Sequence, residues 1–150
     1  MKSKFLLYIL PIISFLGFID ASYLTAKHYL ETPVTCSIFE GCEKVTTSSY
    51  AIVFGIPVAL SGIIFYLTIF ILSIAFIEIK NKKLLSFIFI VASLGFAASL
   101  WFVYLQLFVI GAICLYCVLS AFFSTIIFIL SIFMIKLKKN IFTRSKNSIN

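Results

Sequence analysis

Charge is what this chain has least of. Only 11% of its 150 residues are Asp, Glu, Lys or Arg, against about 25% in an ordinary soluble domain. With 63% of residues hydrophobic and a mean hydropathy of +1.20, a soluble globular domain is excluded and the solvent is a lipid bilayer. Also missing are a glycine-rich loop that could cradle phosphate, a zincin motif and a Gly-x-Ser-x-Gly turn, which removes nucleotide-loop, zincin and serine-hydrolase chemistry. The net charge of +7 sits in short clusters between apolar runs instead of on one face, so nucleic acid is not an expected partner. What the chain does have is aromatic residues, 18 Phe with 7 Tyr and 1 Trp, too many for a disordered segment. It also has four cysteines.

A helix crossing about 30 Å of hydrocarbon needs about 20 apolar residues. Runs of that kind cover 5–26 and 53–77, the second opened by Gly55-Ile56-Pro57 with proline in the first turn. The stretch 84–135 is too long for one crossing, since 52 residues would make a helix of about 78 Å. It must turn back on itself, and Gly111 places the hairpin at Val109–Ile113. The expected fold is therefore an all-α membrane protein: one domain over 1–150, a four-transmembrane-helix bundle with spans at about 5–26, 53–77, 84–109 and 112–135, an outer loop at 28–52 and a tail at 136–150. A signal-peptide reading of the first run puts Ile19 or Asp20 where a small residue is wanted before the cut, so the run is read as a retained span. Lys and Arg accumulate on the cytoplasmic side of membranes. Ten of the twelve fall near one set of span ends, with Lys27 and Lys44 on the other side. Both termini are thus expected in the cytoplasm, with the 28–52 loop and the hairpin outside the cell's inner membrane.

The cysteines form two pairs, Cys36 with Cys42 in the outer loop and Cys114 with Cys117 at the start of the fourth span. Both pairs are expected on the same membrane face, an oxidising compartment in a bacterial envelope or organelle lumen. Positions three apart share a helix face, and a helix N-terminus favours the thiolate, the species that attacks, while apolar surroundings oppose it. Thiol-disulfide exchange moves electrons between pairs through mixed disulfides. A second pair at the membrane interface among Phe102, Tyr104, Phe108 and Tyr116 is within reach of an acceptor dissolved in lipid, such as a quinone. Two inert structural bridges, or a four-thiolate zinc site with a loosely spaced C-x5-C half, are the competing readings. Haem attachment is excluded because Val118 follows Cys117.

These residues resemble the vitamin K epoxide reductase family of membrane thiol-quinone oxidoreductases in its bacterial form. The resemblance runs over about residues 15–125. It is carried by Gly17, Tyr23-Leu24 and His28; Cys36 and Cys42; Val45, Ser48, Tyr50-Ala51 and Phe54-Gly55-Ile56-Pro57; Gly62 and Tyr66; Trp101 and Tyr104; and Cys114 and Cys117. The quinone-linked enzymes of the Dsb type have the C-x-x-C pair first, the reverse of the order here. The resemblance implies a short helix after the outer loop and a relay in which Cys36 takes electrons from a reduced thioredoxin-fold (DsbA-like) partner. Cys42 passes them through a transient Cys42–Cys114 disulfide, and Cys117 faces the quinone, with Ser48 packing and polarising the site. The vertebrate enzyme has a tyrosine where this chain has Ala121 and an asparagine near Val58, both associated with the vitamin K head group, which weighs against epoxide reduction. Many bacterial members carry a fused thioredoxin domain after the fourth span, where this chain has a basic tail, so a separate partner is expected.

Other residues stand out. Asp20 is an ionisable group inside a span, read either as a proton-handling group in quinone reduction, with His28 nearby, or as an interfacial packing residue. Trp101, Tyr104 and Phe54 are candidates to cover the quinone, the first two alternatively belonging to an aromatic belt. Glu31, Glu40 and Glu43 give the outer loop an acidic rim. The expected activity is oxidation of thiols of an exported partner with delivery of two electrons to a membrane quinone, supporting disulfide formation in exported proteins. The alternatives are a vitamin K epoxide reductase of an organelle membrane, and a small four-span transporter with structural disulfides in which Asp20 is the coupling residue.

Overall fold

The computed structural model describes residues 2–30, 41–53 and 55–147, and the side chains of 7–30, 41–53 and 55–137. Helix α1 covers Lys2–Tyr29 and α2 covers Cys42–Thr46; a 3-10 turn at Ser49–Ala51 leads into a two-stranded ladder, β1 (Ile52–Val53) and β2 (Ile56–Pro57). Then come α3 (Val58–Ile79), α4 (Lys82–Tyr104), a π-helical turn continuing α4 over Leu105–Ile110, and α5 (Leu115–Asn147). Among the described residues four helices are long and apolar enough to cross a membrane: Leu7–Tyr29, Val58–Ile79, Lys82–Ile110 and Leu115–Leu137. The expected all-α four-helix membrane bundle, with a short helix in the long loop, is the observed architecture, and the protein is a multi-pass membrane protein.

Short connections return the chain at both ends of α4. At one end Lys80 adopts the left-handed conformation that closes α3, its N–H donating to the Phe76 carbonyl at 3.0 Å. Asn81 then caps α4, its side-chain oxygen accepting from the Lys83 N–H at 3.0 Å. At the other end Gly111 is left-handed (φ 62°), as the expected hairpin requires. The result is an up-and-down bundle in which α1 packs on α3 and α5, and α4 packs on α5 and α3.

The second crossing helix starts at Val58, five residues later than the apolar run implies. Ile52 and Val53 pair antiparallel with Pro57 and Ile56 around Gly55, which has φ 78°. Pro57 stands at the N-cap instead of in the first turn. Hydropathy alone does not separate an apolar hairpin from the helix it leads into.

Inside the bundle, small residues let helices approach. An added Cβ at Gly17 would overlap the Tyr66 ring, and one at Gly95 the Phe65 ring. Tyr66 is buried and spans the bundle from α3 to α5, its hydroxyl donating to the Ser120 carbonyl at 2.7 Å and lying 2.8 Å from the Ser120 hydroxyl. Ser99 and Ser124 join α4 to α5 at 2.7 Å. Buried Ser14 and Thr25 donate to the carbonyls of Leu10 and Ala21, both at 2.8 Å. Where no water reaches, every hydroxyl needs such an acceptor. The outer surface carries Ile64, Leu94 and Phe108 at 62%, 68% and 74% exposure, a surface suited to lipid.

Candidate functional site

At the loop end of the bundle, Leu24, Cys42, Val45 and Cys114 form a buried cluster, with Tyr23, Ile110, Ala112, Tyr116 and Cys117 packed around it. Two local devices bring the cysteine segments together. Gly41 lies so close to the turn before α5 that a Cβ there would stand 2.7 Å from the Ile113 carbonyl oxygen. Cys42 follows as the first residue of α2, whose Val45 N–H returns to the Gly41 carbonyl at 3.1 Å. On the other side, the side-chain oxygen of buried Gln106 accepts the Cys114 N–H at 3.0 Å, and its carbonyl accepts the Ala112 N–H at 3.2 Å.

Cys114 stands just before α5 and not inside its first turn; its carbonyl accepts the Val118 N–H at 3.1 Å. That is the N-cap position, where a side chain receives the N–H groups two and three residues on. The Cys114 sulfur receives those of Tyr116 and Cys117, as well as a hydrogen bond from the Cys117 thiol. The thiol hydrogen bond is the main reason why the Cys114 pKa falls to about 7; burial opposes it, the two backbone groups add to it, and the charge of Asp20 opposes it. Cys114 is therefore the thiol of this pair equipped to attack as a thiolate. Both Cys114 and Cys117 are free, whereas Cys42 is disulfide-bonded. Cys36 and Phe54 lie outside the described residues, as do Glu31 and Glu40.

Half-buried Cys117 opens onto a cavity of about 370 Å³, in the range of small-molecule sites. Its walls are mostly apolar, drawn from α1, α3, α4, α5 and the segment around Ser48–Ala51. Ser48 lines it while its hydroxyl donates to the Val45 carbonyl at 2.7 Å, and His28 lines it from α1. Val58 and Ala121 also line it, so the positions that the resemblance pairs with hydrogen-bonding side chains face the cavity with apolar ones. Trp101 and Tyr104 do not. They stack at 5.9 Å on the outer surface, 60% and 49% exposed, with Phe108 beside Tyr104 at 5.0 Å. Positions 101, 104 and 108 share one stripe of the helix, while Phe102 and Leu105 line the cavity from the other. Asp20 is buried on α1, and its Oδ2 has no hydrogen-bond partner among the described residues.

Sequence reasoning missed Gln106 and the contact made by Gly41. A glutamine within an otherwise apolar run was the available signal for the first. Nothing local marks the second, because the backbone that Gly41 meets is some seventy residues away.

A helical membrane bundle that holds a buried cysteine against a free dithiol, one member of which opens onto an apolar cavity, belongs to the membrane thiol oxidoreductases. A sequence model of the Vitamin K epoxide reductase family matches residues 8–132, and the chain belongs to that family. It is also similar to "Thiol-disulfide oxidoreductase LTO1" from Arabidopsis thaliana, 33% identical over 129 aligned residues that cover 81% of this chain and 34% of that protein. The chain thus spans about a third of the length of this relative.

Proposed function

We propose that this protein is a thiol:quinone oxidoreductase that oxidises the thiols of a thioredoxin-fold, DsbA-like partner and passes two electrons to a lipid quinone. In this reading Cys36 receives electrons from the partner and Cys42 exchanges with Cys114. Closure of the Cys114–Cys117 disulfide releases the electron pair to the quinone at Cys117. The observation that carries it is the position of Cys117 between Cys114 and the cavity, which gives the dithiol one side toward Cys42 and another toward an apolar ligand. When bound, the quinone supplies a two-electron acceptor, so the protein needs no radical chemistry of its own. The chain's residues supply a thiolate held at a helix N-cap, a dry exchange site and an apolar slot.

We also favour quinone over epoxide as substrate, since apolar Val58 and Ala121 stand in the cavity wall where the resemblance points to hydrogen-bonding side chains. We place the site on the extracytoplasmic side of the cell's inner membrane, with both termini in the cytoplasm, on the distribution of Lys and Arg. Disulfide formation in exported proteins is the process served. Anaerobic mixing of the purified protein with a reduced thioredoxin-fold protein and a short-chain quinone tests this. Quinol should form with wild type and not with Cys117→Ala. Equal rates with both would overturn the reading.

A further inference from the structure

Asp20 is an acidic residue within the membrane-crossing part of α1, 7% exposed, with Oδ2 lacking a hydrogen-bond partner among the described residues. Buried carboxyls normally pair with a cation or with several donors. The titratable groups that Asp20 acts on are Tyr66 from α3, Cys114 from the turn before α5, and Tyr116 and Cys117 from α5. None of these is a base. One helical turn further along α1, Leu24 packs in the cluster that holds Cys42 and Cys114. The next residue, Ala21, lines the cavity. Asp20 therefore lies on α1 within one turn of both the dithiol cluster and the cavity wall, and no cation is among the described groups it acts on.

Proton accounting gives that placement a use. Reducing a quinone to quinol takes two electrons and two protons. A dithiol that reacts with Cys114 already a thiolate supplies both electrons but only the Cys117 proton. Two neighbouring acids in one dry site do not both ionise readily, and whichever is charged keeps the other neutral. We propose that Asp20 shares a single negative charge with Cys114 and supplies the second proton of quinol formation. The step reads: Cys114 thiolate, Cys117 thiol, neutral Asp20 carboxyl and quinone give the Cys114–Cys117 disulfide, the Asp20 carboxylate and quinol. One S–S bond forms, two electrons and two protons reach the quinone, and the negative charge passes from sulfur to carboxylate. When the pair is reduced again, Asp20 takes its proton back. Asp20 acts here as the proton reservoir of the step, and the inference rests on the thiol-to-quinone reading above.

The test uses the full-length protein as wild type, Asp20→Asn and Asp20→Glu. The first readout is quinol formed in a single turnover by the prereduced protein with a short-chain quinone, across pH. The second needs no quinone: the pH titration of the thiolate ultraviolet absorbance of the reduced protein, taken as the part lost in Cys114→Ser. Asp20→Asn should slow quinol formation by about 10²-fold or more, the usual contribution of a placed proton donor, with the deficit widening above neutral pH. It should also move the thiolate midpoint to lower pH, and Asp20→Glu should restore most of both. Wild-type quinol rates in Asp20→Asn overturn the proposal. So does a slowed rate with an unmoved thiolate titration, which marks a structural role. A wild type that forms no quinol at any pH, beside a thiolate midpoint that still moves in Asp20→Asn, overturns the thiol-to-quinone reading and proton delivery with it, while the shared charge stands.

Discussion

Gln106 accepts the backbone N–H of Cys114 at 3.0 Å, and both residues are buried, at 4% and 0% exposure. The same residue accepts the Ala112 N–H through its backbone carbonyl, so one residue in an apolar run, by side chain and backbone together, fixes the turn from which the attacking sulfur projects. Gln106→Leu leaves the Cys114 N–H buried without an acceptor. The expected loss is about 1–3 kcal/mol of stability, seen as a lower unfolding temperature in detergent, together with slower exchange at Cys114.

Gly41 sets the approach of α2 to that turn. Gly41→Ala puts a methyl group against the Ile113 backbone, which has no flexible end to move aside. We expect α2 and Cys42 to shift while the four-helix bundle persists. In a background lacking Cys36 and Cys117, the Cys42–Cys114 disulfide should form about tenfold more slowly, equivalent to about 1.4 kcal/mol in the barrier. Non-reducing electrophoresis with time follows it.

The pH dependence has a definite sign. The Cys114 pKa is lowered to about 7, so thiolate is lost as the pH falls through that value and is nearly complete well above it. The rate of attack by Cys114 on a small disulfide should rise through neutrality and then level off. Cys117→Ala removes the largest cause of the lowering, and the inflection should move upward, toward the ordinary thiol value of about 8.5. An unchanged inflection would show that the helix N-terminus alone sets it.

Tyr66 and Gly17 form the central contact of the bundle below the site. Gly17→Val would overlap the Tyr66 ring and should cost about 1–3 kcal/mol as an overpacked interior. Tyr66→Phe keeps the ring but loses the bonds to Ser120, with about 0.5–1.5 kcal/mol expected. Thermal unfolding of both variants in one detergent orders the two effects.

Much of this molecule is written in run lengths. The crossing helices follow from apolar stretches interrupted by Lys80–Lys83 and by Gly111, and the dithiol follows from its C-x-x-C spacing. The features that escape such a reading depend on which side of a helix faces inward or on contacts between distant segments. Phe102 lines the cavity and Trp101 does not, although neighbouring aromatics look alike in sequence. Pro57 ends a β ladder before it starts a helix. Gln106 is polar without being exposed, because its partner is the backbone of a residue eight positions on.

The π-helical turn over Leu105–Ile110 carries one further consequence. Its wider winding inserts a phase slip between the long α-helical part of α4 and the end that reaches the dithiol. Removing one residue there would return the segment to ordinary winding, at about 100° per residue, with little net rotation of what lies beyond. A single-codon deletion after Gln106 would thus leave the length of the crossing almost untouched while shortening the eight-position spacing over which its side chain reaches the Cys114 N–H. Insertions and deletions between 105 and 110 are accordingly where this scaffold is least forgiving of drift in length.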